Sequence, residues 1–277
     1  MNELRRLLRH RQIIVGAAVV LFLVGITSLA PFLTSFDPSA QLDLATGQSQ
    51  PPSWLHPFGT DIFSRDLLSR VLYGARISLV IAFLSILISV TVGTGVGLIS
   101  GLSGSVVDTV LMRAVDAALA IPRVFLLLVV LALWERVDVV GLITILGFTS
   151  WFGTSRIVRA EVLSLRRRDF ITAAQSLGIG KTRILLHHLL PNVVAPIGVI
   201  STLGIGQIIL IEAGLSYLGV GVQEPTASLG RMMQGGSSML QTAPWLSIFP
   251  GLIIVLTVIG FSLLADGLRN TMDPRAR

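Results

Sequence analysis

This 277-residue sequence contains five long stretches without a charged side chain, and these stretches limit what the chain can fold into. Between Arg11 and Asp37 lie 25 uncharged residues, and four later stretches hold 31, 17, 28 and 34. About 20 apolar residues cross a bilayer core roughly 30 Å thick. Each of the five stretches therefore predicts a helix that crosses a membrane.

The composition excludes several other classes of protein. Only 13% of the residues are charged and 52% are hydrophobic, which argues against a soluble enzyme and a disordered chain. There is no cysteine, so a disulfide framework and thiolate chemistry are excluded. The apolar stretches are continuous rather than alternating, unlike those of an outer-membrane barrel.

A sixth span is predicted where charges are present. Residues 108–134 are apolar apart from Asp108, Arg113, Asp116 and Arg123. A helix that starts near Asp108 places these charges in its first turns, where long side chains reach the headgroups. The sequence thus predicts an all-α membrane protein with six transmembrane helices. Their predicted ranges are 12–34, 77–101, 108–133, 138–159, 193–215 and 245–267.

The basic residues predict the orientation. With a cytoplasmic N-terminus, 14 of the 21 Lys and Arg residues fall in inside segments and five in outside segments. Both termini are therefore expected in the cytoplasm, for a multi-pass protein of the cell inner membrane. The first span is expected to stay uncleaved, because its apolar run exceeds the roughly 7–15 residues of a signal peptide.

The loop between the predicted fourth and fifth helices has a pattern of its own. Asp169 is placed as the N-cap of a short helix, and Gly178 as the C′ residue that ends it. A second, amphipathic helix is predicted from residue 180 or 181 to Leu190, where Pro191 interrupts it. Its apolar face is expected to lie along the membrane.

Two small residues mark the short helix. Ala173 and Ala174 add almost no side chain, so another surface can approach the backbone closely. Basic residues surround the helix, at Arg166, Arg167, Arg168, Lys181 and Arg183. Such a helix suits docking into a groove of a cytoplasmic partner. The alternative is an ordinary cytoplasmic loop that follows the positive-inside rule.

Five blocks of sequence resemble one family. Ala173-Ala174-x3-Gly178, followed by Leu190-Pro191, resembles the "EAA" loop of the membrane subunits of ATP-binding-cassette (ABC) importers. The other four blocks resemble the second permease subunit of the dipeptide/oligopeptide/nickel importers, in the order His56–Leu79, Asp108–Pro122, Leu215–Met233 and Leu263–Arg275. Two residues depart from the family pattern, with Thr172 in place of a Glu and Ser64 in place of a Gly.

The resemblance implies the type I permease fold of ABC importers. It divides the chain into 1–75, with the N-terminal tail, first helix and extracytoplasmic segment, the permease domain 76–267, and the cytoplasmic tail 268–277. The loop 160–192 then contains the coupling helix, which rests in a cleft of an ATPase subunit. The coupling residues carried over are Asp169, Phe170, Thr172, Ala173, Ala174, Gly178, Leu190 and Pro191.

The resemblance also implies the role and the partners. The chain is expected to be a non-catalytic permease subunit for dipeptides or oligopeptides. Its expected partners are a homologous permease subunit, two ATP-binding subunits, an extracytoplasmic substrate-binding protein and membrane lipid, with no nucleic acid. No cofactor or metal is expected in this chain, since ATP and Mg bind the ATPase subunits.

Three alternatives stay open at this point. In the first, the cargo is not a peptide but a nickel chelate, glutathione or another small solute, as in close relatives of the family. A transporter driven by an ion gradient would show inverted repeats and ionisable residues near the midplane. A scaffold or receptor that transports nothing would purify without an ATPase.

Four ionisable residues in the predicted spans are candidates for the path or its gates. Asp108, Arg113 and Asp116 either line the inner mouth of the path, or Arg113 and Asp116 neutralise each other three residues apart on one helix. Glu212, near the outer end of the fifth helix, either forms an outer gate or bonds across to a neighbouring helix.

Glycine and proline predict how the helices pack and bend. Gly93, Gly97 and Gly101 form a GxxxGxxxG ridge, which favours close packing inside this subunit or with a sister subunit. Kinks are predicted at Pro122, Pro196 and Pro250.

Overall fold

The computed structural model describes residues 10–43, 47–134 and 137–272, and this part of the chain is helical without a β-strand. Its α-helices are α1 (Arg11–Ser28), α2 (Ala30–Leu33), α3 (Leu67–Leu102), α4 (Ser105–Leu119), α5 (Arg123–Ala132), α6 (Val139–Phe148), α7 (Trp151–Leu165), α8 (Asp169–Ser176), α9 (Lys181–Ile184), α10 (Leu190–Tyr217), α11 (Leu229–Ser237) and α12 (Trp245–Met272), with a π-helical turn at Leu185–Leu189. The ends of the two predicted tails, 1–9 and 273–277, lie outside the described residues, as does the side chain of Lys181.

Within the described ranges, four helices are long and apolar enough to cross a membrane. They are α1, α3, α10 with the preceding π turn, and α12, and α4 with α5 makes a fifth if this bent pair is one span. The predicted fourth span, 138–159, is divided between α6 and α7, which have 10 and 15 residues. The hydroxyls of Thr149 and Ser150 bond to carbonyls of the last turn of α6, which favours a break there. The count of six spans and the cytoplasmic termini stay predictions.

The predicted third helix, 108–133, is broken at a proline. α4 and α5 meet at a bend of 78°. Pro122 has no backbone N–H and disfavours helical geometry in the residue before it, so the helix ends there. The break confirms the kink predicted at Pro122. Pro196 and Pro250 lie inside the continuous helices α10 and α12.

The long helix α3 runs through the centre of the bundle. It starts at Leu67 because the Asp66 carboxylate caps it, accepting a hydrogen bond from the backbone N–H of Ser69 at 2.7 Å. At its other end, Arg166 Nη1 donates to the carbonyl of Gly101 at 2.7 Å. The helix begins well before the predicted position 77, so the proposed domain boundary at 75/76 lies inside it.

The two ends of the bundle carry different elements. At one end, which we call the α8 end, α8 and α9 pack on α7 through buried residues such as Val162 and Ile171. At the opposite α11 end, α11 packs on α3 and α12 through Leu229 and Leu246. A third cluster around Leu146 fills the middle of the bundle.

Candidate coupling and transport sites

The short helix α8 has one buried face and one exposed face. Ile171 is 0% exposed and Ala174 is 6% exposed, in a cluster with residues of α7 and α10. Phe170 and Leu177 are 43% and 81% exposed, and Ala173 lies exposed between them. Exposed apolar side chains beside a small residue form a surface suited to a partner. Ala173 therefore leaves the backbone open to another surface, whereas Ala174 packs against the bundle.

Gly178 ends α8 as predicted. Its φ of +76° lies in the left-handed region, and the N–H of Ile179 donates to the carbonyl of Ala174 at 3.1 Å. This bond is the mark of a Schellman cap. A Cβ at Gly178 would meet no described atom within 4 Å, so the backbone conformation alone calls for glycine. Asp169 is the first residue of α8 rather than its N-cap, with its carboxylate in the first turn.

The segment after α8 differs from the prediction. Instead of one helix that ends at Leu190, α9 is followed by the π turn, which continues directly into α10. Pro191 does not interrupt the helix, because it lies in the first turn of α10, where its missing N–H is tolerated. Ile184 and Leu189 are buried in the cluster with α7 and α8, so the apolar face that was predicted to lie along the membrane packs on the bundle instead. The coupling loop is therefore continuous with the long helix α10.

The outer face of α8 is uncharged where the resembled family has a glutamate. Thr172 is exposed, and its hydroxyl donates to the carbonyl of Arg168 at 3.5 Å. The ring of Phe170 lies near that of His188, with 6.2 Å between centroids. This surface therefore offers apolar and hydroxyl groups to a partner.

The helix α7 connects α8 to the interior of the bundle and is packed tightly on α3. A Cβ added at Gly97 would come within 2.7 Å of Val158 Cβ. The other two glycines of the ridge are equally close to α7, in the pairs Gly93–Thr154 and Gly101–Val162. The predicted ridge thus packs within this subunit, where glycines let the two backbones approach.

Two acidic residues of α4 contact arginines of α7. Asp108 accepts hydrogen bonds from Arg159 Nε at 2.5 Å and Nη2 at 2.6 Å, and from the hydroxyl of Ser100. Asp116 Oδ1 lies 3.8 Å from Arg156 Nη1, with both side chains more than half exposed. Asp116 therefore pairs across to α7 rather than with Arg113 on its own helix. The role of these residues at the mouth of a path stays a prediction.

Glu212 is fully buried near the α11 end, at 0% exposure. Its Oε2 accepts from the hydroxyl of Ser78 on α3 at 2.6 Å, and its Oε1 from Ser216 at 2.8 Å and Ser228 at 3.2 Å. The carboxylate thus bonds across to α3 and to the start of α11, which is the second of its two predicted roles. Hydroxyl donors satisfy this buried acid from three sides.

A network of charges fastens the segment before α3 to the segment after α10. Glu224 accepts from Arg65 Nη1 at 2.7 Å and from Arg70 Nη2 at 3.0 Å, and Asp61 Oδ2 accepts from Arg65 Nε at 2.7 Å. Burial alone would raise the pKa of Glu224, but the two arginines outweigh it and hold this pKa below its ordinary value. The network therefore stabilises the α11 end with Glu224 ionised.

The structure shows how Ser64 takes the place of the glycine of the family pattern. Its φ is +59°, in the left-handed region that glycine adopts freely. Its hydroxyl donates to the carbonyl of Asp43 at 2.7 Å, which offsets the strain. The backbone turn is therefore kept although the glycine is absent.

A cavity of about 300 Å³ lies between α3, α5, α7 and α10, and sequence reasoning missed it. Its polar lining includes Ser89, Arg123, Thr154 and Gln207. The sequence placed Arg123 near the headgroups, in the first turns of one straight helix. The bend at Pro122 instead brings Arg123 beside Ser89, near the middle of α3. The available signal was an arginine directly after a proline inside an apolar stretch.

Two families of known proteins match the chain. The family described as "Binding-protein-dependent transport system inner membrane component" matches residues 93–277. The "N-terminal TM domain of oligopeptide transport permease C" matches residues 4–52. The first match includes α4 to α12 and the last part of α3, and therefore all of the coupling region.

Curated relatives cover nearly the whole chain. The dipeptide transport system permease DppC of Alkalihalophilus pseudofirmus is 39% identical over 99% of this chain and 89% of its own length. The DppC of Haemophilus influenzae is 36% identical over 97% and 92%. The oligopeptide transport system permease OppC of Haemophilus influenzae is 33% identical over 99% and 88%.

The helical architecture, the candidate spans and the two matches agree with each other. The matched family has the type I permease fold of ABC importers, and the apolar helices make the chain a multi-pass inner membrane protein. This chain belongs to the family of inner membrane components of binding-protein-dependent transport systems.

Proposed function

We propose that this chain is one of two homologous permease subunits of an ATP-driven importer of dipeptides and oligopeptides. Relatives named as dipeptide and oligopeptide permeases support this cargo, at 33–39% identity. The two subunits form one path at their interface, and an extracytoplasmic binding protein delivers peptides to the α11 end. Two ATPase subunits bind the coupling loops, so ATP and Mg bind there and this chain is not an enzyme.

The observation that carries this proposal is that α8 has one face buried against the bundle and one face exposed. Ile171 and Ala174 hold one face of α8 to the bundle, while Phe170, Ala173 and Leu177 leave the other face available to a docked subunit. A short helix gripped from both sides moves with the docked subunit. Closure of the ATPases is thereby passed on to the membrane helices.

α7 is the element that passes the movement on. It has 15 residues and is therefore about 22 Å long. Val162 and Leu165 in its second half pack in the cluster that holds α8. Thr154 and Ile157 in its first half line the 300 Å³ cavity. A displacement of α8 thus changes the wall of the cavity between α3, α5, α7 and α10.

Substitution of the neighbouring alanines tests the docking surface. The chain is co-expressed with its partner permease and ATPases, and the complex is purified through a tag on this chain. Ala173→Trp is expected to abolish co-purification of the ATPases, because Ala173 is exposed on the free face. Ala173→Ser, a small change at the same position, should retain them. An Ala173→Trp complex with its full ATPase content and uptake would contradict the docking assignment.

Uptake by proteoliposomes separates the proposed importer from its rivals. The reconstituted complex with its binding protein should accumulate a radiolabelled dipeptide only when ATP is supplied. Collapse of the ion gradients should leave this uptake unchanged. Uptake that needs no nucleotide and disappears with the gradient would instead show a secondary transporter. Competition by glutathione or a nickel chelate, with no competition by unlabelled peptides, would overturn the assigned cargo.

A further inference from the structure

Two polar atoms at the cavity between α3, α5, α7 and α10 have no hydrogen-bond partner among the described residues. Ser89 is 0% exposed, and its hydroxyl makes no hydrogen bond. The Nε of Arg123 is buried and equally unpartnered. Both residues line the cavity. Buried donors are nearly always satisfied in folded proteins, so this pair points to a group that the cavity receives.

The charge of Arg123 is also uncompensated. Its Nη2 donates to the carbonyl of Leu146 at 3.2 Å and to the hydroxyl of Ser150 at 2.5 Å, which are both neutral acceptors. No acidic side chain lines the cavity in the described part of the chain. A half-buried cation in a membrane bundle without a counter-charge is typical of a site that meets an anionic ligand.

The rest of the cavity sets the size and character of that ligand. The volume of about 300 Å³ suits a small molecule rather than a folded segment. Apolar side chains such as Ile86 and Leu203 complete the lining. Ile157 at its border is 45% exposed and Gln207 is also exposed, so the cavity opens to the surface of this chain. It therefore suits a ligand with one anionic end and a partly apolar body.

We infer that this cavity is a transit subsite that receives the C-terminal carboxylate of a peptide on Arg123 and Ser89. The inference rests on the proposed function, since it takes short peptides as the cargo. The guanidinium matches a carboxylate in shape and charge, and Ser89 adds a hydroxyl donor. The wall formed by α7 links this subsite to α8, so the grip on the carboxylate changes when the ATPases close.

Two probe peptides that differ only in the carboxylate test the inference. Proteoliposomes that hold the whole importer, with its binding protein and ATP, are supplied with dialanine or with dialanine C-terminal amide. The ratio of the two uptake rates is measured for the wild type and for Arg123→Gln. Because the binding protein is the same in both, a change in this ratio belongs to the permease. Arg123→Gln should lower the uptake of dialanine at least about tenfold more than that of the amide.

Two further variants sharpen the result. Arg123→Lys retains the charge but not the planar fork, so its ratio should lie between those of the wild type and Arg123→Gln. Ile200→Val, on the apolar wall, should change both uptake rates by one common factor.

The outcomes are distinguishable. If Arg123→Gln lowers both rates equally, or changes neither, Arg123 only supports the fold and the subsite is wrong. A wild-type complex that imports neither probe with ATP overturns the proposed function itself, before any variant is compared.

Discussion

Arg159 of α7 and Asp108 of α4 meet as a bidentate ion pair, with Nε 2.5 Å from Oδ1 and Nη2 2.6 Å from Oδ2. Their side chains are 31% and 19% exposed, so water screens the pair only in part. Asp108 lies just after the turn between α3 and α4, and Arg159 lies on the helix that carries α8. The pair therefore holds the corner of the bundle from which the coupling helix extends.

Removal of the Arg159–Asp108 ion pair should destabilise the folded chain. Asp108→Ala leaves Arg159 and the hydroxyl of Ser100 without their acceptor, and should lower the free energy of unfolding by about 1–3 kcal/mol. The measurement is unfolding of the purified protein in detergent for both single variants and the double variant with Arg159→Ala. A coupling energy near zero in this cycle would show that the pair adds nothing.

The packing of α3 on α7 should depend on the face of α3 that carries the glycine ridge with Gly97. Gly97→Ala places a Cβ within 2.7 Å of the Ser155 carbonyl and of Val158 Cβ, so the helices must separate. The expected cost is about 1–3 kcal/mol. Gly95→Ala is the matched control, because a Cβ there would meet no described atom within 4 Å. Equal thermal stability of the two variants would contradict the assigned packing.

The cap of α8 should tolerate only residues that adopt a positive φ. Gly178→Val is expected to cost about 1–2 kcal/mol locally, because the left-handed region is unfavourable for a β-branched residue. ATPase activity should then uncouple from peptide uptake, measured as peptides accumulated per ATP hydrolysed.

Two other variants separate the backbone effect at Gly178 from side-chain size. Gly178→Asn should retain most of the coupling, because asparagine visits the left-handed region readily. Gly180→Val, two residues later, also meets no described atom within 4 Å and has no positive φ. If Gly180→Val uncouples the importer as strongly as Gly178→Val, the cap is not the cause.

The charge network at the α11 end should make the stability of the folded chain depend on pH. The pKa of Glu224 is lower in the folded chain than in the unfolded chain. Its stabilising contribution is therefore complete above the unfolded pKa, near 4.3, and is lost as the pH falls through the folded value. Glu224→Gln should be less stable than the wild type at pH 7, and the difference should shrink as the pH falls below about 4. Thermal unfolding at several pH values gives this comparison, and a difference that is constant over the range would contradict it.

Several local features were predictable because they depend on residues close together in the sequence. Gly178 was recognised as a helix end because a positive φ suits glycine after an amphipathic turn. The break at Pro122 follows in the same way from the missing N–H of one residue. The size of the bend was not predictable, because it is set by what α5 packs against.

Contacts between residues that lie far apart along the chain were not predictable. Pairing of Asp116 with Arg113 on its own helix was one of two predicted alternatives, but Asp116 Oδ1 lies 3.8 Å from Arg156 Nη1 of α7. Ala174 was marked only as a small residue of a short helix, and the packing of α7 and α10 shows that it is buried.

The sequence by itself determined that the chain is a bundle of membrane helices with a short, glycine-capped helix in one loop, since uncharged length and helix-end residues are local properties. The tertiary structure alone decided which faces of these helices meet, and it alone placed Arg123 at a cavity between α3, α5, α7 and α10. The physical reason is that a membrane helix is apolar on every side, so its periodicity does not distinguish the face that packs on protein from the face that meets lipid.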